Sequence, residues 1–93
     1  MAYSARNLDD TAMQRMPFVL RDDYPLRALG TAIRALRNEQ GISQEDLADL
    51  CGIDRSHLGR IERGERNVGI LNIVKIAEAL TCTLAELFRR AEL

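Results

Sequence analysis

The sequence predicts an all-α domain built from five short helices. Apolar residues make up 46% of its 93 residues and aromatic residues only 4%, which suits a compact aliphatic core. Leu, Ile, Ala, Arg and Glu dominate, whereas Val, Thr, Tyr and Phe, which favour strands, are few. From Tyr24-Pro25 onwards, apolar residues recur at helical spacing in segments separated by Gly, Ser, Asp and Thr. A chain this short makes one small domain of marginal stability, and a dimer is the expected way to gain more.

Residues 1–24 read as a leader or arm ahead of a domain spanning 25–93. Asp9 or Asp10 caps a short helix through Met16, which Pro17 stops, and Phe18-Val19-Leu20 forms an apolar stretch before Arg21-Asp22-Asp23. Such a segment either stays loosely ordered or packs on the domain or a partner. In the first helix of the domain, Pro25 takes a first-turn position and Leu26, Leu29, Ile33 and Leu36 share one face. Gly41 ends this helix after Gln40. Ser43 caps the second helix, with Asp46 where a capping box carries Glu or Gln, and Leu47, Ala48 and Leu50 lead to Cys51. Gly52-Ile53 makes a tight turn, and Asp54 caps a third helix that closes at Gly64.

A loop over 65–69 leads to a fourth helix, Ile70 to Leu80, with Ile70, Ile73, Val74, Ala77 and Leu80 on one side. Thr83 caps the fifth, Glu86 completes a capping box, and Leu84, Leu87, Phe88 and Ala91 form its apolar side. Leu71 points away from the core of the fourth helix. Together with Leu84, Leu87, Phe88 and Leu93 it is the candidate dimer seam.

A formal charge of −1 excludes a positive field over the whole molecule, so any affinity for polyanions must come from a local patch. Cys51 and Cys82 lie among apolar residues and read as free thiols of a reducing compartment. A single His and no CxxC argue against a zinc site. No apolar run approaches the roughly 20 residues that span a bilayer, and the N-terminus lacks the apolar centre of a signal peptide. These features predict a soluble cytoplasmic protein with no cofactor.

The local patch is GIDRSHLGRIERGERN, residues 52–67. With Arg55 set at zero and about 100° added per residue, Gly59, Arg63, Ser56 and Arg60 fall between about 40° and 140°. Leu58 and Ile61 fall between about 240° and 300°, facing the core. The outward arc carries no acid, and Gly59, which costs about 1 kcal/mol against Ala inside a helix, clears space on that outer side. This helix follows another across the joint Cys51-Gly52-Ile53-Asp54, the geometry of a helix-turn-helix whose second helix enters a major groove. Arginine suits the task because its planar fork holds O6 and N7 of guanine together, while Ser56 donates to or accepts from a base edge or a phosphate. The N-terminus at Ser43-Gln44 favours a phosphate oxygen.

GISQEDLADLCGIDRSHLGRIERGERN, followed by ILNIVKIAEAL and TLAELF, resembles the lambda-repressor-like, Cro/Xre-type helix-turn-helix family over residues 26–88. Within that family DRSHLGRIERGERN is most similar to the small restriction–modification controller proteins. The resemblance implies a five-helix DNA-binding fold with the helix-turn-helix at helices two and three. It implies base contacts from Arg55, Ser56 and Arg60. Backbone contacts fall to Ser43, Gln44, His57, Arg63, Arg66 and Asn67, with Gln44 also bracing the recognition helix, and Arg37 and Glu62 correspond to a structural ion pair. Two departures stand out: Gly59 occupies a position that often carries a polar reader, and Gly69 replaces the Ser or Thr usual before the fourth helix.

Two functions follow. One is a sequence-specific transcriptional regulator that binds double-stranded DNA as a homodimer through residues 54–63. The other is an antitoxin or interaction module of the same fold, with a protein partner bound through the leader and DNA binding secondary. His57 has no second His and no Ser/His/Asp spacing to work with, so nothing supports an enzyme.

Overall fold

The computed structural model describes residues 23–93, and the expected short helix and apolar stretch in the leader lie outside them. Five helices follow one another: α1 (Tyr24–Glu39), α2 (Gln44–Cys51), α3 (Arg55–Glu62), α4 (Ile70–Ala79) and α5 (Leu84–Arg90). The all-α reading holds, with helix ends close to those read from the sequence.

The caps explain most of the boundaries. Pro25 occupies the first turn of α1. The Ser43 hydroxyl accepts from the Asp46 amide at 3.0 Å, and Gly52 ends α2 in the left-handed region at φ 73°. At α5 the capping box is complete: the Thr83 amide donates to Glu86 Oε1 at 2.8 Å, and the Glu86 amide donates to Thr83 Oγ1 at 3.0 Å. Gly69 precedes α4 with no side chain to cap it. Asp54 departs from expectation. It holds the N-cap position of α3, yet its carboxylate accepts from the Ser56 hydroxyl at 2.6 Å instead of from a backbone amide. A hydroxyl two residues away has reached the carboxylate first.

α1 packs on α3 and α5, and α2 packs on α3 and α4. Leu29, Ile33, Leu47, Leu58, Ile61, Ile76, Leu80 and Leu87 fill the space between them. Three apolar residues sit differently from the periodic reading. Leu50 is 64% exposed, because it lies about 60° outside the arc of Leu47, Ala48 and Cys51. Ile70, in the first turn of α4, is 58% exposed, about 70° off the centre of the buried arc. Leu87 is fully buried between α1 and α4, so it belongs to the core and not to an outward seam. Leu71 does point outward, at 74% exposure.

One close approach shapes the packing. Gly30 lies in the middle of α1, and a Cβ there would stand 2.5 Å from the Ile61 carbonyl oxygen and 2.7 Å from the Glu62 carbonyl carbon. Gly64, at φ 74°, meets α1 from the other side, where a Cβ would be 2.7 Å from Arg27 Cα. Backbone therefore meets backbone where α1 crosses the end of α3, with no side-chain layer between. A glycine that costs about 1 kcal/mol by propensity is kept because nothing larger fits. Replacing Gly30 with Ala is expected to destabilise the chain by about 1–3 kcal/mol despite the better helix former, read as a lower urea midpoint. An unchanged or raised midpoint would mean that α1 and α3 stand further apart.

Candidate nucleic-acid interface

The joint between α2 and α3 is short and tightly bonded. The Gly52 amide donates to Asp49 O at 3.2 Å and the Ile53 amide to Ala48 O at 3.0 Å, so the chain reverses at the left-handed Gly52 and α3 starts at Arg55. α3 then turns Leu58 and Ile61 inward and leaves Arg55, Ser56 and Arg60 exposed on one side. His57 is half-buried on the flank. Arg63 takes the C-cap position, and Arg66 and Asn67 lie exposed in the loop that follows.

What fixes α3 against its neighbours is the Glu62 carboxylate, 3% exposed. Its Oε2 accepts from Arg37 Nε at 2.7 Å, and its Oε1 accepts from Arg37 Nη2 at 3.0 Å. Gln44 Nε2 donates to the same Oε1 at 3.0 Å, and Arg34 Nε stands 3.7 Å away. Arg37 uses a further donor, Nη1, on the Ile42 carbonyl at 3.1 Å. The hydrogen bond from Glu62 raises the Arg37 pKa further above its ordinary value, more than burial lowers it. Three helices thus meet on one carboxylate: α1 through Arg37 and Arg34, α2 through Gln44, and α3 through Glu62 itself. A forked guanidinium–carboxylate pair is both short and directional, so it fixes angles that apolar packing leaves loose. The resemblance implies two roles for Gln44, a phosphate contact and a brace on the recognition helix; here its side-chain amide donates to Glu62 of α3, and its carbonyl oxygen lies beside Gly59.

Two expectations about the outward arc are corrected. Gly59 does not open space toward solvent. It is buried, and a Cβ on it would meet Arg63 Nη1 at 3.4 Å, Gln44 Oε1 at 3.5 Å and Gln44 Cδ at 3.8 Å. The helical wheel treats α3 alone and misses the side chain of α2 that crosses it on the way to Glu62. Nor is the arginine face free of acid. Glu65 forks Arg63, Nε to Oε2 at 2.9 Å and Nη2 to Oε1 at 3.2 Å. This follows from the left-handed turn at Gly64, after which the Glu65 amide bonds to Arg60 O at 2.9 Å and the chain doubles back beside α3.

The remaining sites divide by what engages them. Ser43 Oγ is spent on capping α2 and Ser56 Oγ on Asp54. Arg55, Arg60 and Arg66 form no ion pair with the described residues. Sequence reasoning missed Arg34, Glu65 and Gly30. The mid-helix glycine was a signal for the last, and the Gly64-Glu65 step, just past a helix end, was one for Glu65. Among the described residues, no three His, Cys, Asp or Glu side chains lie together as metal ligands would, and no helix is long and apolar enough to cross a membrane. Burial raises the pKa of both thiols, Cys51 and Cys82, and both cysteines are unpaired.

Comparison with known proteins agrees with this geometry. Residues 33–87 match the HTH_3 helix-turn-helix family model. The control protein C.SmaI of Serratia marcescens is 37% identical over 62 residues, which cover 67% of this chain and 74% of that protein. The control protein C.MunI of a Mycoplasma species is 41% identical over 72 residues, covering 76% of this chain and 96% of that protein. Among solved structures, the restriction–modification controller protein C.AhdI of Aeromonas hydrophila superposes with a TM-score of 0.67 at 51% identity. The match covers 68% of this chain and 96% of that one.

Because three helices share the Glu62 carboxylate, Glu62→Ala is expected to cost about 3–5 kcal/mol, leaving Arg37 charged and largely buried. Arg34→Ala, at the exposed edge of the same cluster, is expected to change stability by about 0.5 kcal/mol or less. Urea denaturation of the two variants measures both, and equal losses would show that the buried pair is not the brace.

Proposed function

The chain belongs to the HTH_3 helix-turn-helix family of DNA-binding transcription regulators and is not an enzyme; on that premise we propose that it binds specific duplex sites as a homodimer, with α3 in the major groove. The observation that carries this reading is the separation of roles along α3. Glu62 braces the C-terminal end of the helix from inside, while Arg55, Ser56 and Arg60 are exposed and take no part in the core.

Arg55 and Arg60 are assigned to base edges, where a guanidinium fork can hold O6 and N7 of guanine. Ser56 joins them once its hydroxyl exchanges Asp54 for a base or phosphate. Ser43, Gln44, His57, Arg63, Arg66 and Asn67 are assigned to the sugar–phosphate backbone. Gln44 and Ser43 sit at the N-terminus of α2, where a phosphate meets open amide groups and the positive end of the helix dipole. Arg66 and Asn67 follow α3 in an exposed loop. The homodimer is supported by the apolar side chains left outside the core, Ile70 and Leu71 at the start of α4 and Leu93 at the end of the described chain. C.AhdI, described as a restriction–modification controller protein, together with the control proteins C.SmaI and C.MunI, supports the further reading that this chain governs genes of that kind. Two copies would place their α3 helices in successive major grooves, about one helical turn or a multiple apart.

Selection of bound sequences from a random duplex pool is expected to enrich a two-fold symmetric motif with half-sites about 10 bp apart or a multiple of that. Against the enriched duplex, Arg60→Ala is expected to relax base preference at one position of each half-site, at about 1–3 kcal/mol of discrimination. Arg66→Ala is expected to weaken enriched and random duplexes by a similar factor and to flatten the salt dependence. A pool that enriches nothing, with a stoichiometric small protein recovered instead, would place the function in protein interaction.

A further inference from the structure

We propose that Glu65 is an intramolecular competitor for the DNA phosphate at Arg63, and that this pairing sets how tightly the chain holds duplex DNA of any sequence. The inference rests on the reading of α3 as the DNA-binding helix. Its basis is geometric. Glu65 presents two oxygens to Nε and Nη2 of Arg63 at 2.9 and 3.2 Å, the two-point arrangement a guanidinium also makes with a phosphate. One fork cannot serve both partners at once, so a phosphate must first displace the carboxylate.

The backbone holds the competitor in place. Arg63 caps α3, Gly64 turns the chain at φ 74°, and the Glu65 amide is bonded to Arg60 O at 2.9 Å. Glu65 thus has a fixed origin beside the arginine and does not depend on a chance meeting of two long side chains. Both side chains remain half-exposed, so an incoming phosphate can reach them. Hydrogen bonding from Arg63, with the nearby charge of Arg60, holds the Glu65 carboxyl below the usual carboxylate range, so it stays charged at neutral pH. Arg63 is assigned to a phosphate, which is the same in every sequence. Relieving the competition should therefore raise affinity for all duplexes alike and leave base preference, carried by Arg55 and Arg60, unchanged.

The test is a double-mutant cycle on the full chain, with one random duplex and one enriched from the pool, titrated across a salt series. Glu65→Gln keeps the shape and removes the charge. It is expected to bind both duplexes about threefold to tenfold tighter near 0.1 M salt, with the logarithmic salt slope steeper by about 0.9. In an Arg63→Gln background the same substitution is expected to gain less than about twofold, because the fork it would release is gone. Unchanged or weaker binding by Glu65→Gln overturns the proposal. So does a gain of equal size in the Arg63→Gln background, which would make Glu65 a diffuse charge and not a competitor. A wild-type chain that binds neither duplex overturns the DNA-binding reading itself, an outcome distinct from one in which the wild type binds and Glu65→Gln adds nothing.

Discussion

The orientation of α3 depends on one buried carboxylate. Eight residues are too few to make a helix that stands alone, so α3 exists because its neighbours hold it. Leu58 and Ile61 supply the attraction, but apolar contact is non-directional and would tolerate a tilt or a small rotation. Glu62 removes that freedom. A carboxylate in the core is costly unless its lone pairs are met, and they are met only when Arg37 of α1 and Gln44 of α2 both arrive at about 3 Å. The angle between α2 and α3 is thereby coupled to the position of α1.

The fold was largely legible from the sequence because its signals are local. Ser43, Gly52, Thr83 with Glu86, and Pro25 each mark a helix end through chemistry that involves a few neighbouring residues. The site was legible in part. Periodicity along α3 separates Leu58 and Ile61 from Arg55 and Arg60, and the structure keeps that separation. The readings that failed involve a second element. Gly59 looked open because a helical wheel contains no α2, and Arg63 looked unopposed because Glu65 lies beyond a left-handed turn. Gly30 passed unnoticed because its partner carbonyls are about thirty residues away in sequence.

Local charge needs the same care. Many of the arginines already have an acid: Arg27 pairs with Asp23, Arg37 and Arg34 with Glu62, Arg63 with Glu65, and Arg90 with Glu39. Arg55, Arg60 and Arg66 have none among the described residues, and they cluster on and just after α3, whereas Arg89, which also forms no ion pair with a described residue, lies away on α5. A formal charge of −1 hides this arrangement, because it adds cations satisfied within the fold to those that face outward.

The lost cap at Asp54 gives α3 unequal ends. Past Ile61 the helix is clamped by a buried ion pair and by backbone contact at Gly30 and Gly64. At Arg55 its first amide groups have no side-chain acceptor, since Asp54 has turned to Ser56. α3 behaves as a cantilever, stiff at its root and compliant at its tip. Amide hydrogen exchange should record that gradient along a single helix, fast at Arg55 and Ser56 and slow from Leu58 onwards. Arg55 stands on the compliant end, where a small adjustment of one turn can be made without moving the root.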